Sequence, residues 1–239
     1  MGTSFTPTPQ DVERYRHLRS LQMDLNRSLI KTVPRHALDE VGDALGILHN
    51  GVLEIDNADM SSVVMDCCLY DWFEDGKNLV QRYAESHLAK PGTDESFLLS
   101  ACMQAKYRVV MAQSIVPGAG LYCRDFLNSE DLFVMDLALS RSLPSGKAAL
   151  ATRTIPLGEY SMTSGAGLPI NSEKTVQALS RIGVGKRDSR EGPGSVALGI
   201  VRACLAGGAG HYVKYQTPDP KSEKARRAAR WLEFKRRHS

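Results

Sequence analysis

The chain has 239 residues, 42% of them apolar and 24% charged, with a formal net charge of +3. That length and usage suit one large or two small globular domains, and they exclude wholesale disorder, a collagenous repeat or a low-complexity chain. No apolar run approaches the ~20 residues a membrane helix needs, and the opening stretch from Met1 to Gln10 shows no secretory leader. Both point to a cytoplasmic protein without membrane contact.

The first predicted helix starts after Thr8, which can cap it, with Pro9 at its first position and Asp11 in its first turn. Tyr15, Leu18, Leu21, Leu25 and Leu29 then form one apolar stripe, with Arg14, Arg16, Arg19 and Arg27 outside it. A second helix runs from Pro34 to Gly46. Asn50-Gly51 between two apolar runs predicts a hairpin over residues 47–55. A long central helix is expected from Asp56 to Gly76, apolar around most of its circumference from Met60 to Phe73 and therefore buried. Helices over 78–87 and 93–105 complete a mostly helical first hundred residues.

At Lys106 the pattern changes. Five short β-rich runs, over 107–116, 121–126, 132–135, 148–155 and 159–163, are separated by Gly/Pro turns at roughly ten-residue spacing. They predict a small antiparallel barrel or curled sheet ending near Ile170. A helix over 172–182, a basic glycine-dotted loop over 183–194 and a helix over 195–205 follow. A last basic helix spans Lys221 to Arg237. The expected class is α+β, in three regions: a helical domain over 1–105, a β module over 106–170, and a helical, basic region over 171–239.

The charge is unevenly distributed. Residues 1–180 carry 16 Lys+Arg and 22 Asp+Glu, a net of −6, whereas residues 181–239 carry 14 and 5, a net of +9. Such asymmetry points the basic end toward a polyanion, either nucleic acid or an acidic protein surface. On the last helix Arg226, Arg230 and Arg237 share one narrow sector beside Arg227, opposite a stripe of Ala225, Ala228, Ala229 and Leu232. Trp231 and Phe234 lie between, placed to stack on bases or pack inward. Lys224, Arg226, Arg227, Arg230, Trp231, Arg236 and Arg237 are the candidate nucleic-acid contacts. The alternative is a solvated or intramolecular end that neutralises the acidic half.

Catalytic chemistry is harder to find. Asp66, Asp71, Glu74 and Asp75 interrupt an otherwise apolar helix, and Cys67, Asp71 and Asp75 fall at i, i+4 and i+8. One helical face could thus present a thiolate and two carboxylates to a metal or serve acid/base chemistry. The structural alternative pairs Asp71 and its neighbours with arginines of the first helix, or has them cap local backbone groups. Neither Cys67 nor Cys102 has an identifiable base, there is no Gly-x-Ser-x-Gly, and Gly183-Val-Gly-Lys186 lacks phosphate-loop spacing. The opening Met1-Gly2 formally fits a myristoylation pattern, which by itself supports only marginal membrane binding. Five cysteines at irregular spacing, without a C-x2-C pair, read as reduced thiols, and no cofactor is implied. The chain reads first as a non-catalytic binding or adaptor protein. An acid/base or metal enzyme using Asp66–Asp75 and an oligomeric scaffold built on the helical half are the alternatives.

Three phrases carry a resemblance: Met65-Asp-Cys-Cys-Leu-Tyr-Asp-Trp-Phe-Glu-Asp-Gly76, Pro117-Gly-Ala-Gly-Leu-Tyr-Cys-Arg-Asp-Phe126, and Ala151-Thr-Arg-Thr-Ile-Pro156 with its Ser164-Gly-Ala-Gly-Leu-Pro169 close. Over about residues 50–170 the chain resembles a group of uncharacterised bacterial proteins. Many of these end in a SEC-C motif, a cysteine/histidine zinc knuckle tied to recruiting partners. The knuckle's Cys-x-Cys-Gly-Ser-Gly is absent here, where the C-terminal part holds only Cys204, so the resemblance implies neither zinc nor catalytic residues.

Overall fold

A computed structural model describes residues 5–87, 89–143, 148–182 and 195–209. Helix α1 (Pro9–Ile30) begins as its sequence dictates. The Thr8 side chain accepts from the Asp11 amide and the Asp11 carboxylate accepts from the Thr8 amide, a reciprocal cap worth about 1 kcal/mol. Helix α2 (Arg35–Leu45) leads into the two-residue strands β1 (Leu48–His49) and β2 (Val52–Leu53). Their turn places Asn50 and Gly51 at φ 52° and 75°, the double left-handed geometry that selects Asn-Gly.

The central helix α3 is shorter than expected, spanning Ala58–Tyr70. Asp71 ends it, and the chain then turns through Asp75 and Gly76, both at positive φ, to close a bridge between Glu74 and Lys77. Trp72 and Phe73 prolong the apolar pattern without prolonging the helix. Asp75 therefore sits exposed in a turn, off the face that carries Cys67 and Asp71. Helices α4 (Leu79–Ser86) and α5 (Asp94–Met103) follow, capped by Asn78 and Thr93.

Five strands then close a barrel: β3 (Lys106–Val116), β4 (Gly120–Asp125), β5 (Asp131–Met135), β6 (Ala149–Pro156) and β7 (Ser161–Pro169). Their spatial order is β3-β4-β5-β7-β6, with β6 returning to β3. Every pair is antiparallel except β5–β7. The long β3 makes closure possible: its first half pairs with β6 and its second half with β4, across an irregularity between Ala112 and Ser114. This is a five-stranded Greek-key barrel of the OB-fold class. A one-turn helix, α6 (Leu139–Ser142), not foreseen from the sequence, lies between β5 and β6. Strand β7 runs six residues past its expected end because Ser164-Gly-Ala166 is a bulge within the strand, with Gly165 at φ 94°. Helices α7 (Glu173–Arg181) and α8 (Val196–Ala206) end the described part.

Alternation along the strands creates two separate apolar cores. One face carries Tyr107, Val109, Phe133, Met135, Ala151, Ile155, Met162 and Leu168, and it merges with buried residues of α1, α2, α3, α5 and α8 into one cluster. The helices thus cover the outside of the barrel. The opposite face carries Val110, Ala112, Leu121, Cys123 and Val134, a second cluster that packs against Leu139 and Leu143 around α6. That face is the barrel interior.

Candidate functional site

The acids singled out in the sequence meet a barrel arginine. Arg153 lies at the middle of β6, on the face turned toward α3. Its Nε donates to Asp66 Oδ2 at 2.8 Å, and Nη2 donates to Asp71 Oδ2. Side-chain exposures of 3% for Arg153, 5% for Asp66 and 10% for Asp71 put the group out of reach of bulk water. Aromatic faces complete the enclosure, with the Tyr70 ring 4.4 Å and the Tyr107 ring 5.3 Å from the guanidinium carbon. The expected partners were the arginines of α1. Arg14 instead pairs with Asp94 at the start of α5, and Arg19 turns to the barrel.

The electrostatics follow from this enclosure. Burial works against the charge on Arg153, but Asp66 and Asp71 outweigh it and hold the group above its ordinary pKa. Burial, reinforced by the neighbouring Asp71 and Asp66, pushes the Cys67 thiol well above its usual range. Burial also lifts Cys102 to about 11. Tyr70 and Tyr107 are raised by the same desolvation. Burial thus holds these thiols in the protonated form at neutral pH, away from the thiolate that a nucleophile needs. Both carboxylates are held by the guanidinium, and Asp66 also lines a depression of about 540 Å³ beside Arg19, Gln22 and Ser62. A smaller space of about 50 Å³ lies on the other side, lined by Tyr70, Asp71, Asn78, Cys102, Tyr107 and Arg153 among others. The arrangement interlocks α3 with β6.

Cys67, Asp71 and Asp75 do not come together as one helical face. Cys67 is buried inside α3, Asp71 terminates the helix against Arg153, and Asp75 is in the following turn. Among the described residues no group of three or more His, Cys, Asp or Glu could hold a metal ion. All five cysteines are buried and unpaired. No described helix is long and apolar enough to cross a membrane.

A second polar contact went unnoticed in the sequence. The bulge in β7 takes the carbonyls of Thr163 and Ser164 out of the strand ladder, and α1 supplies the missing donors. Arg19 donates to Thr163 O, and the buried Gln22 donates to Ser164 O at 2.9 Å. Gln22 stands four residues after Leu18 and seven before Leu29, inside the apolar stripe, and that position was its available signal. Arg153 had one too: it is the sole charge in an Ala/Thr/Ile-rich strand.

A family model described as a family of unknown function, DUF7986, matches residues 9–186. The chain belongs to DUF7986. The matched DUF7986 segment contains α1 to α7, the whole barrel, Arg153 and both of its carboxylate partners. It stops short of α8 and of the arginine-rich end. No curated protein and no solved structure matches this DUF7986 chain. The candidate contacts Lys224, Arg226, Arg227, Arg230, Trp231, Arg236 and Arg237 lie outside the described residues, as do the opening Met1-Gly2, the 144–146 turn, the 183–194 loop and the expected helix from Lys221 to Arg237.

Proposed function

We propose that this chain is a non-catalytic, cytoplasmic nucleic-acid-binding protein. Its folded body is the platform, and the C-terminal arginines make the phosphate contacts. The observation that carries this reading is the charge split, −6 over residues 1–180 against +9 over residues 181–239. The ion pairs of the body support it. Arg14 serves Asp94, Arg82 serves Glu74, Arg108 serves Asp125 and Glu130, Arg124 serves Asp131, and Arg153 serves Asp66 and Asp71. These seven carboxylates are held by the body's own guanidinium groups and are not offered to the basic end.

Barrels of this class commonly bind oligonucleotides on the outer face of their second and third strands, here β4 and β5. In this chain Phe5 lies against that face, its ring 5.2 Å from Phe133 and 5.4 Å from Tyr160, and Tyr122 Oη donates to Phe5 O at 2.7 Å. We therefore assign the contact to the C-terminal end, with Arg226, Arg230 and Arg237 at its centre and Trp231 stacking. Fluorescence anisotropy of a labelled DNA oligonucleotide tests the reading. The intact chain should bind, and a variant carrying Arg226→Gln, Arg230→Gln and Arg237→Gln should bind far more weakly with an unchanged circular-dichroism spectrum. Equal binding by the two proteins, or none by the intact chain, would remove it.

A further inference from the structure

The depression of about 540 Å³ beside Asp66 is walled by α1, α3 and the β7 bulge, and it lies within the size range of small-molecule sites. Met23 and Ile30 of α1 are 48% and 42% exposed in its lining, which also holds Met65 of α3. Exposed apolar side chains gathered around one concavity suit the apolar part of a ligand. Arg19 adds a charge that is already held in place. Its Nη1 donates to Thr163 O and to Gln22 Oε1, and Gln22 is itself anchored on Ser164 O. Nε and Nη2 of Arg19 carry no hydrogen bond among the described residues, and Arg19 enters no ion pair there. Asp66 is met by Arg153, and Arg27 by Asp24, so Arg19 is the uncommitted charge of the lining. Asn26, also in the lining, has its Oδ1 buried without a hydrogen-bond partner. Such an acceptor is unfavourable until a donor reaches it. Rotation about χ2, a broad torsion, can present it to the depression.

The spacing sets the ligand's length. Arg19 and Asn26 stand two turns apart on one face of α1, about 10 Å along its axis. A single amino acid is too short to join them, whereas about three extended residues span that distance. We propose that this depression binds a free apolar tripeptide. The peptide carboxylate meets Arg19, its ammonium meets Asn26 Oδ1, and its side chains cover Met23, Ile30 and Met65. Both ends then make charge-assisted hydrogen bonds, and the side chains remove exposed apolar surface from water. Because both termini are recognised, the C-terminus of a protein chain does not suffice. This site shares no residue with the proposed nucleic-acid contacts, so either proposal can fail alone.

The test uses the full chain, isotopically labelled in its methionine methyls and titrated with leucyl-alanyl-leucine under NMR observation. Single Met→Leu substitutions assign the signals. Those of Met23 and Met65 should shift saturably, with a Kd on the order of 100 micromolar, while those of the buried Met60, Met135 and Met162 stay in place. The C-terminal amide of the peptide, which lacks the carboxylate, should bind at least about tenfold more weakly. The N-acetyl peptide, which lacks the ammonium, should lose a similar factor. Arg19→Gln should weaken binding of the free peptide by at least about tenfold with an unchanged far-ultraviolet spectrum. Should Arg19→Gln fail to fold, the two capped peptides decide on the unsubstituted protein. Absence of saturable shifts, shifts at Met60, Met135 and Met162 instead, equal binding by either capped peptide, or undiminished binding by a folded Arg19→Gln would each overturn the proposal.

Discussion

Replacing Arg153 by methionine removes the guanidinium while keeping a side chain of similar length over Tyr70. Asp66 and Asp71 then lose a shared partner in a place where their side chains are only 5% and 10% exposed. Breaking a buried pair from one side costs about 3–5 kcal/mol, because the stranded charge keeps its desolvation penalty. For a chain of this size that is a fall of roughly 6–20 °C in Tm. Urea unfolding of the variant and the unsubstituted protein measures the loss. Adding Asp66→Leu to Arg153→Met should recover about 1–3 kcal/mol. An Arg153→Met deficit below about 1 kcal/mol would refute the view that this group locks α3 to the barrel.

Gly165→Ala should cost about 1–3 kcal/mol, because φ is 94° and an added Cβ would stand 2.9 Å from Arg19 Nη2. Thermal unfolding of the single and the Arg19→Ala double variant checks this, with non-additive losses expected. The thiols of Cys68, Cys123 and Cys204 are each pushed up by burial to about 12 from an ordinary 9.0. Their stabilising contribution is thus complete below about pH 9 and lost as pH climbs toward 12. Urea midpoints should fall across that window, and Cys123→Ala should flatten the fall by up to about 1.4 kcal/mol per pH unit.

Local chemistry made much of the fold legible. Thr8 caps its helix as its side chain suggests, the Asn50-Gly51 hairpin forms, and the Gly/Pro-punctuated β runs become the barrel. The departures share a cause: tertiary contacts decided what local pattern left open. Trp72 and Phe73 extend an apolar run that the Asp75-Gly76 turn redirects, so helical periodicity overstated α3. Ser164-Gly-Ala166 stays in a strand because Arg19 and Gln22 of α1 satisfy the carbonyls that the bulge releases. The acids of α3 were legible as unusual, but their partner was not. Arg153 is 82 residues beyond Asp71, and only closure of β6 against β3 brings it there.

The salt dependence of DNA binding bears most directly on the proposed role of the arginine-rich end. Six cations, Lys224, Arg226, Arg227, Arg230, Arg236 and Arg237, are nominated for phosphate contact. Full engagement gives a slope of log K against log salt concentration of roughly −5. Changing Arg226, Arg230 and Arg237 together to glutamine should bring it to roughly −3. A slope near zero, or one that the triple substitution leaves unaltered, would contradict the assignment.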